Sequence, residues 1–249
     1  MSMLKSPAEL KPDYGIDAPG IVRLFLLGGG AGVVLGLLLW ARVDSLPIVW
    51  QIIAHMVFWP GLSFLLTALV MLWGSTIGKL RLRSQIIEKL QLRGDEQVLD
   101  VGCGRGLMLL GLAGKITTGR AVGIDLWQAQ DQSGNAITTT EENARREGVA
   151  EKVELHTGDM RELPFNDNHF DVIVSSWAIH NIHDAAGRQK AIQQIARVLK
   201  PQGRLVIVDI SYVWEYQAEL QRLGWTDIKR LGPSFHFVLP SYQLWARKP

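Results

Sequence analysis

Two long apolar runs occupy the first third of the chain, and short apolar runs alternate with amphipathic stretches behind them. Residues 21–40 are nearly all apolar, and residues 46–73 form a second run of the same character. A helix needs about 20 apolar residues to cross roughly 30 Å of hydrocarbon. Because only residues 41–45 separate the runs, the pattern predicts a transmembrane helical hairpin over residues 21–74, behind an irregular, proline-containing segment at residues 1–20.

The basic residues around these runs predict which side of the membrane they face. Lysine and arginine precede the first run and follow the second, whereas Arg42 is the single basic residue of the connection. Positive charge stays on the cytoplasmic side, so both termini and everything behind the hairpin are expected in the cytoplasm. A hairpin that lies in the interface is one alternative. A cleaved signal peptide at residues 21–40 is a weaker one, because that run begins late and a second run follows.

Three glycines in the first run predict how the two helices pack. Gly28, Gly32 and Gly36 stand four residues apart, so they fall on one face of a helix. Small residues at such spacing let two helices approach closely in lipid. We therefore interpret these glycines as a contact face of the hairpin, and not as a nucleotide-binding loop, because no strand precedes them.

Behind residue 84 the pattern changes to that of an α/β domain. Runs typical of strands lie at 98–101, 121–125, 153–157, 170–175, 204–210, 227–231 and 242–246. Stretches between several of them carry apolar residues at helical spacing, as in residues 187–199. Strands that alternate with helices predict a parallel sheet covered by helices on both faces, here within residues 84–249.

A glycine-rich loop follows the first of these strands. Gly102, Gly104 and Gly106 stand at every second position, and residues 107–116 predict a helix directly behind them. At such a strand, loop and helix corner the missing side chains let a ligand touch the backbone, as nucleotides do. The dinucleotide fingerprint Gly-x-Gly-x-x-Gly requires a third glycine where Leu107 stands, so NAD is the weaker candidate ligand.

Acidic residues end the strands that follow. Asp125, with Leu126 behind it, closes the second strand and can accept hydrogen bonds from both ribose hydroxyls of a nucleoside. An acidic cap on the next segment is the alternative. Asp159, just past the third strand, can accept from an adenine amino group while Met160 covers a ring face. Parallel strands share one carboxyl edge, and the residues expected there are Asp100, Gly102, Asp125, Asp159 and Ser176.

Two parts of this sequence resemble a known family. The spacing Asp-x-Gly-x-Gly-x-Gly from Asp100 onward resembles motif I of class I S-adenosylmethionine-dependent methyltransferases. The run Gly158–Ser175, with Leu-Pro-Phe and Phe-Asp before a strand, resembles the type 11-like branch that methylates small molecules, including quinone-ring methyltransferases. The resemblance covers about residues 84–249 and leaves out both apolar runs.

The resemblance implies a fold and a cofactor. The expected fold is a Rossmann-like seven-stranded sheet in the order 3-2-1-4-5-7-6, with the seventh strand antiparallel and helices on both faces. The expected cofactor is S-adenosylmethionine. The residues expected to bind it are Asp100, Gly102, Gly104, Gly106, Asp125, Leu126, Asp159, Met160 and Ser176.

The remaining candidates concern the methyl acceptor. A sulfonium is a good leaving group, so the enzyme has mainly to fix distance and angle and to exclude water. If the acceptor must lose a proton, His180 behind the fourth strand is the candidate base, with a packing or hydrogen-bonding role as the alternative. Trp127, Trp177 and His183 are candidate acceptor contacts. Trp127 lies in a polar stretch, residues 126–135, that is expected to insert a loop.

Composition and charge limit the classes of partner that this chain is expected to bind. A net charge of +2 at pH 7 gives no electrostatic case for nucleic acid, and one cysteine with scattered histidines predicts no metal site. We expect a membrane-anchored methyltransferase for a small, lipophilic acceptor such as a quinone, an isoprenoid or a lipid, because an anchored site meets lipids at high local concentration. A methyltransferase for a soluble metabolite and a non-catalytic S-adenosylmethionine-binding sensor or scaffold are the alternatives. The sequence leaves the acceptor and the oligomeric state open.

Overall fold

The computed structural model describes residues 11–42, 45, 47–128, 135–235 and 239–249 of the 249-residue chain. These residues separate into two compact units. The smaller unit is residues 16–79, and the larger one combines residues 80–249 with residues 11–15. Of the segment expected to be irregular, residues 11–18 form neither helix nor strand, and residues 1–10 lie outside the described residues.

The smaller unit is built from helix α1 (Pro19–Trp40) and helix α2 (Ile48–Trp73). Pro60 lies inside α2 without ending it. Helix α2 then runs through a π-helical turn at Gly74–Gly78 into helix α3 (Lys79–Leu90), which enters the larger unit. The second apolar run is therefore the first part of a longer helix than the sequence pattern predicted.

Among the described residues, two helical stretches are long and apolar enough to cross a membrane, Pro19–Trp40 and Ile48–Leu90. Only 17% and 11% of their most apolar windows are buried. Leu27 and Met56, for example, are 76% and 70% exposed. The core helices of soluble proteins bury such side chains. By length, composition and exposure, the two stretches are candidate spans.

Glycines bring α1 and α2 close together. A Cβ atom on Gly29 would lie 2.7 Å from the backbone nitrogen of Leu65, and one on Gly36 would lie 2.6 Å from a side-chain atom of α2. Gly32 lies directly against Gly61 of α2, where an added Cβ would come within 3.0 Å. The expected packing face is therefore correct for Gly32 and Gly36. It is wrong for Gly28, which has no atom within 4 Å of its Cβ position.

The larger unit holds one mixed sheet, which comprises seven strands in the described part of the chain. The strands are β1 (Gln97–Val101), β2 (Arg120–Asp125), β3 (Val153–Thr157), β4 (Phe170–Ser176), β5 (Leu199–Asp209), β6 (Asp227–Ser234) and β7 (Ser241–Arg247). Their order is β3-β2-β1-β4-β5-β7-β6. Strands β1 to β5 are parallel, and β7 pairs antiparallel with both β5 and β6. The predicted strand order and the antiparallel seventh strand are confirmed.

Helices cover both faces of this sheet. They are α3, α4 (Leu107–Ala113), α5 (Ile137–Arg146), α6 (Ala185–Val198) and α7 (Val213–Arg222). Neighbouring residues of a strand point to opposite faces, and they enter two separate apolar clusters. One cluster joins the central strands to α3 and α4 through Val98, Val172, Val206, Ile86 and Leu109. The other joins them to α6 and α7 through Leu99, Ile173, Leu205, Ile192 and Leu220.

The topology places the ends of five parallel strands along one edge. Segments 102–106, 126–128, 158–160 and 177–180 leave this edge behind β1, β2, β3 and β4, and β5 ends there at Asp209. Of the loop expected at residues 126–135, residues 129–134 lie outside the described residues. Residues that are far apart in sequence thus meet where ligands bind in open α/β sheets.

The close approach of α1 and α2 generates a paired test. The substitution Gly29→Leu places a side chain against the α2 backbone and should lower the free energy of unfolding in detergent by about 1–3 kcal/mol, the typical cost of overpacking. Gly28→Leu, one residue away on an open face, is the matched control for the change in helix propensity. Denaturant unfolding of both variants checks this, and equal stabilities would contradict the packing described here.

Candidate functional site

The glycine loop between β1 and α4 is built on left-handed backbone. Gly102, Gly104 and Gly106 have φ angles of 74°, 47° and 85°, which side-chain-bearing residues rarely adopt. The N–H of Gly102 donates to the carbonyl of Ile124 at 2.8 Å and fixes the start of the loop on β2. A Cβ on Gly102 would lie 2.2 Å from the Cβ of Ala178. The loop therefore passes directly against the segment behind β4.

Asp125 at the end of β2 ties this loop to two other segments. Its Oδ2 accepts from the N–H of Gly104 at 2.9 Å. Its Oδ1 accepts from the N–H of Trp127 at 2.7 Å and from the amide of Asn135 at 3.2 Å. An ionised carboxylate has about four acceptor positions. Three of them are used, so about one remains for a ligand donor at this edge.

Asp100 lies beneath the loop and is 1% exposed. Its Oδ2 accepts from the N–H of Leu109 in α4 at 2.9 Å, whereas Oδ1 has no hydrogen-bond partner within the described ranges. Burial raises the pKa of Asp100 to about 7, reinforced by the charge of Asp125 and opposed by the Leu109 hydrogen bond. This carboxyl group therefore titrates near neutrality, well above its usual range.

Asp159 and Met160 follow β3, and their side chains contact different parts of the domain. Both carboxylate oxygens of Asp159 accept from Arg161, with Nε at 2.9 and 3.0 Å and Nη2 at 2.5 Å. Hydrogen bonding from Arg161 lowers the pKa of Asp159. The methyl end of Met160 lies 3.4 Å from the Cβ position of Gly102. Met160 thus reaches the glycine loop, while Asp159 is held by a neighbouring arginine.

His180 stands in a short 3-10 turn behind β4, next to a buried acid. Its Nδ1 lies 2.6 Å from Oδ1 of Asp209, which ends β5 and is fully buried, but the contact lacks hydrogen-bond geometry and leaves Nδ1 without a partner in the described part of the chain. Oδ2 of Asp209 accepts from the backbone N–H of His180 and from the hydroxyl of Tyr216, each at 3.2 Å. Burial, together with the charge of Asp209, raises the pKa of Tyr216, so the hydroxyl stays a donor. The carboxylate of Asp209 is thereby fixed against the imidazole.

Asp209 and Tyr216 were not predicted from the sequence. One signal for Asp209 was available, because it closes an apolar run in the same way as Asp125 does. Tyr216 lies on α7, and only the folded chain brings it to the end of β5.

The other expected site residues are distributed along the same edge. Trp127 donates from Nε1 to the hydroxyl of Thr157 at 2.9 Å, and the N–H of Trp177 donates to Val208 at 2.8 Å. Both tryptophans have left-handed backbone, with φ of 56° and 51°, which is strained for bulky residues and concentrates at functional sites. Three further residues are more open to solvent: Leu126 and His183 are exposed, and Ser176 is half-buried.

A buried arginine that the sequence analysis missed supports this edge. Arg188 donates to the carbonyls of Ile182 and His183 at 2.9 Å each. It also pairs with Glu215 at 2.8 Å, and its guanidinium lies 3.6 Å from the ring centre of Tyr212. Arg188 thus joins the segment behind β4 to the segment behind β5.

Comparison with known proteins decides what kind of domain this is. Residues 99–207 match the family model described as a methyltransferase domain. A solved structure of an S-adenosylmethionine-dependent methyltransferase from Aquifex aeolicus shares the fold, with a TM-score of 0.54 at 20% identity over 67% of this chain and 89% of that chain. Residues 99–207 are thus similar to a methyltransferase domain, and the sheet has the fold of class I S-adenosylmethionine-dependent methyltransferases.

Curated relatives of the methyltransferase domain differ in what they are named for. The demethylmenaquinone methyltransferase of Lactobacillus johnsonii is 27% identical over 158 residues, which are 63% of this chain and 60% of the relative. The methyltransferase GfsG of Streptomyces halstedii is 35% identical over 130 residues, 52% of this chain and 43% of the relative. The chain therefore spans about half the length of the curated relatives it matches.

The carboxyl edge of the sheet fits S-adenosylmethionine, the cofactor of methyltransferases with this fold. A Cβ at Gly102 would lie 2.2 Å from Ala178 and 3.4 Å from Met160, so only glycine lets the loop pass this close to both residues. Asp125 keeps an acceptor position, and Oδ1 of Asp100 is a buried oxygen that a ligand or water donor can satisfy. Burial raises the pKa of the Cys103 thiol in the same loop, which argues against a thiolate nucleophile. Within the described ranges, no group of three histidine, cysteine or acidic side chains is arranged to hold a metal ion.

The raised pKa of Asp100 predicts a pH dependence of stability. Between the unfolded pKa near 3.8 and the folded pKa near 7, the folded chain binds a proton that the unfolded chain has lost. Stability contributed by this proton is present at low pH and is lost as the pH rises through that window, at up to about 1.4 kcal/mol per pH unit.

The variant Asp100→Asn isolates this contribution, since the amide oxygen can still accept from Leu109. Relative to wild type, we expect its free energy of unfolding to rise steadily from pH 5 to pH 7, by about 1–3 kcal/mol in total. Denaturant titrations at several pH values measure this. Asp95→Asn, at an exposed turn, controls for the loss of one carboxylate, and parallel curves for wild type and Asp100→Asn would contradict the assignment.

Proposed function

We propose that this chain transfers a methyl group from S-adenosylmethionine to a small, lipophilic acceptor while its helical hairpin anchors it in a membrane. The observation that carries the proposal is the glycine loop tied by Asp125 next to the His180–Asp209 pair, on neighbouring strand ends of a methyltransferase fold. A quinone, an isoprenoid or a lipid suits such a site. The name of one curated relative, demethylmenaquinone methyltransferase, supports a quinone-like ring.

The cofactor is assigned to the residues along the carboxyl edge. When bound, S-adenosylmethionine supplies an electrophilic methyl group on a sulfonium. The backbone of Gly102, Gly104 and Gly106 forms its cradle, and the remaining acceptor position of Asp125 suits a ribose hydroxyl. The other residues assigned to the cofactor are Asp100, Leu126, Asp159, Met160 and Ser176. For Asp159 to accept from an adenine amino group, Arg161 has to share or release one carboxylate oxygen.

His180 is assigned as the base for an acceptor that must lose a proton. A small rotation of the ring that lets Nδ1–H donate to Asp209, 2.6 Å away, leaves the free lone pair of the neutral imidazole on Nε2, which is the atom that takes the proton. Asp209 orients the ring and stabilises the imidazolium that forms, and Tyr216 holds the carboxylate in place. Trp127, Trp177 and His183 are assigned to the acceptor. The apolar rings of the two tryptophans lower the local water content, which favours the displacement.

Membrane anchoring is supported by the two candidate spans and by the distribution of charge. The stretches Pro19–Trp40 and Ile48–Leu90 are long and apolar enough to cross a bilayer. Lysine and arginine lie on the outer flanks of the hairpin, with Arg42 alone in the connection. By the positive-inside rule, both termini and the methyltransferase domain face the cytoplasm.

The function is tested by incubating membranes that contain the full-length chain with S-adenosylmethionine labelled in its methyl group. The label is expected in the lipid extract, in one species that is absent from membranes without the chain. Label confined to the aqueous phase would instead support a soluble acceptor. Saturable cofactor binding without any labelled product would support a sensor or scaffold. Either outcome contradicts the proposal.

The base assignment is tested with His180→Ala. General base catalysis typically contributes 10²–10⁴-fold, so kcat should fall by roughly that factor while the Kd for the cofactor changes little. Asp209→Asn should lower kcat as well, because it removes the carboxylate that faces the imidazole. His169→Ala, an exposed histidine at the opposite end of β4, is the control. An unchanged kcat in His180→Ala would leave packing as the role of this residue.

A further inference from the structure

Residues 13–15 belong to the same unit as the methyltransferase domain although they precede the hairpin. We call Asp13–Gly15 the strap. The N–H of Asp13 donates to Oδ1 of Asn143 in α5 at 2.8 Å, and Nδ2 of Asn143 donates back to the carbonyl of Asp13 at 2.9 Å. The strap is thus hydrogen-bonded to α5 through its own backbone, across 130 positions of sequence.

Asn143 connects the strap to the glycine loop. Its Nδ2 also donates to the carbonyl of Arg105 at 3.0 Å, and the side chain is 1% exposed. One buried amide therefore satisfies two backbone groups of the strap and one of the loop. Buried polar groups that lose such partners are costly, so the strap and the loop depend on each other for the same side chain.

Arg105 provides a second connection. It lies between Gly104 and Gly106, and its Nη2 donates to Oδ2 of Asp13 at 2.7 Å. Its side chain is 11% exposed because the strap covers it. Gly15 has φ of 71°, and a Cβ there would lie 2.8 Å from Nη1 of Arg105. The strap therefore encloses the single charged side chain of the loop.

Tyr14 anchors the strap to the rest of the domain. Its hydroxyl donates to Oε1 of Glu147 at 2.5 Å, and Nη1 of Arg83 donates to the Tyr14 oxygen at 3.0 Å and to Glu147 at 2.9 Å. The ring is 7% exposed. Since α3 and the end of α5 supply these partners, the strap is held at Tyr14 as well as at Asp13, the residue that meets Arg105.

We propose that the strap holds the glycine loop in the conformation that binds the cofactor, with Asp13 and Arg105 as positioning residues. Three glycines make this loop conformationally free, so its binding geometry has to be maintained from outside. The strap does so through Arg105 and, by way of Asn143, through the loop backbone. This inference rests on the proposed assignment of the loop to S-adenosylmethionine. It makes the segment in front of the hairpin a part of the cofactor site.

The test measures binding of S-adenosylhomocysteine, which requires no turnover, to the full chain in detergent micelles by calorimetry. Asp13→Ala and Arg105→Ala should each raise the Kd about three- to tenfold, the effect of losing one hydrogen-bonded ion pair. The double variant should be no weaker than the weaker single variant, because both remove the same contact. Asp95→Ala, which removes an exposed pair with Arg93, is the control and should bind as wild type does.

Two further measurements separate positioning from a general loss of structure. Hydrogen exchange of the amides in residues 104–106 should accelerate in Asp13→Ala without cofactor, while exchange in the central strands stays unchanged. In turnover, KM for the cofactor should rise with little change in kcat, and Asp13→Glu should restore part of the affinity. If Asp13→Ala unfolds, Asp13→Asn, which removes the charge but keeps a side-chain oxygen that can accept from the N–H of Gly15, replaces it.

Wild-type affinity in both single variants, or additive losses of affinity in the double variant, would contradict the proposed positioning role of the strap. If wild type binds S-adenosylhomocysteine but methylates nothing, the proposed activity is wrong and the proposed role of the strap still stands. If wild type does not bind S-adenosylhomocysteine, both the cofactor assignment and the proposed role of the strap are wrong.

Discussion

The carboxylate of Asp125 is the constraint on which the candidate site depends. It accepts hydrogen bonds from the glycine loop behind β1 and from Trp127 and Asn135 in the connection behind β2, so both connections converge on one charged group. Hydrogen bonds to an ionised acceptor are roughly twice as strong as neutral ones. The bare backbone of the loop is useful for binding only while this anchor fixes it, because glycines alone do not select one conformation.

A second acid repeats the same arrangement three strands away in the sheet. Asp209 ends β5, is fully buried, and fixes His180 with help from Tyr216. Both acids have comparable positions because parallel strands place their last side chains at the same edge of the sheet. One acid organises the segment assigned to the cofactor, and the other orients the group assigned to proton transfer. Methyl transfer needs little else than two such fixed positions and a dry surface between them.

The sequence predicted the sheet well because its signals are local: apolar runs, helical spacing between them, and acids where strands end. The sequence was less informative about the orientation of helices and side chains. Glycine spacing defined a helix face, but the rotation of α1 puts Gly29 and not Gly28 against α2. Asp159 stands where expected, yet Arg161, two residues on, holds its carboxylate. The strap could not be predicted from the sequence, because Asp13 and Asn143 are 130 positions apart and neither belongs to a motif.

The most direct test of this account is the affinity of full-length chains for S-adenosylmethionine, measured by calorimetry for wild type and for Asp125→Ala. The account predicts saturable binding by wild type and a Kd about 10–100-fold higher in the variant, as expected when hydrogen bonds to a charged group are lost. Asp227→Ala, at the start of β6, should bind as wild type does. An unchanged Kd in Asp125→Ala would contradict the central claim that this carboxylate holds the cofactor site together.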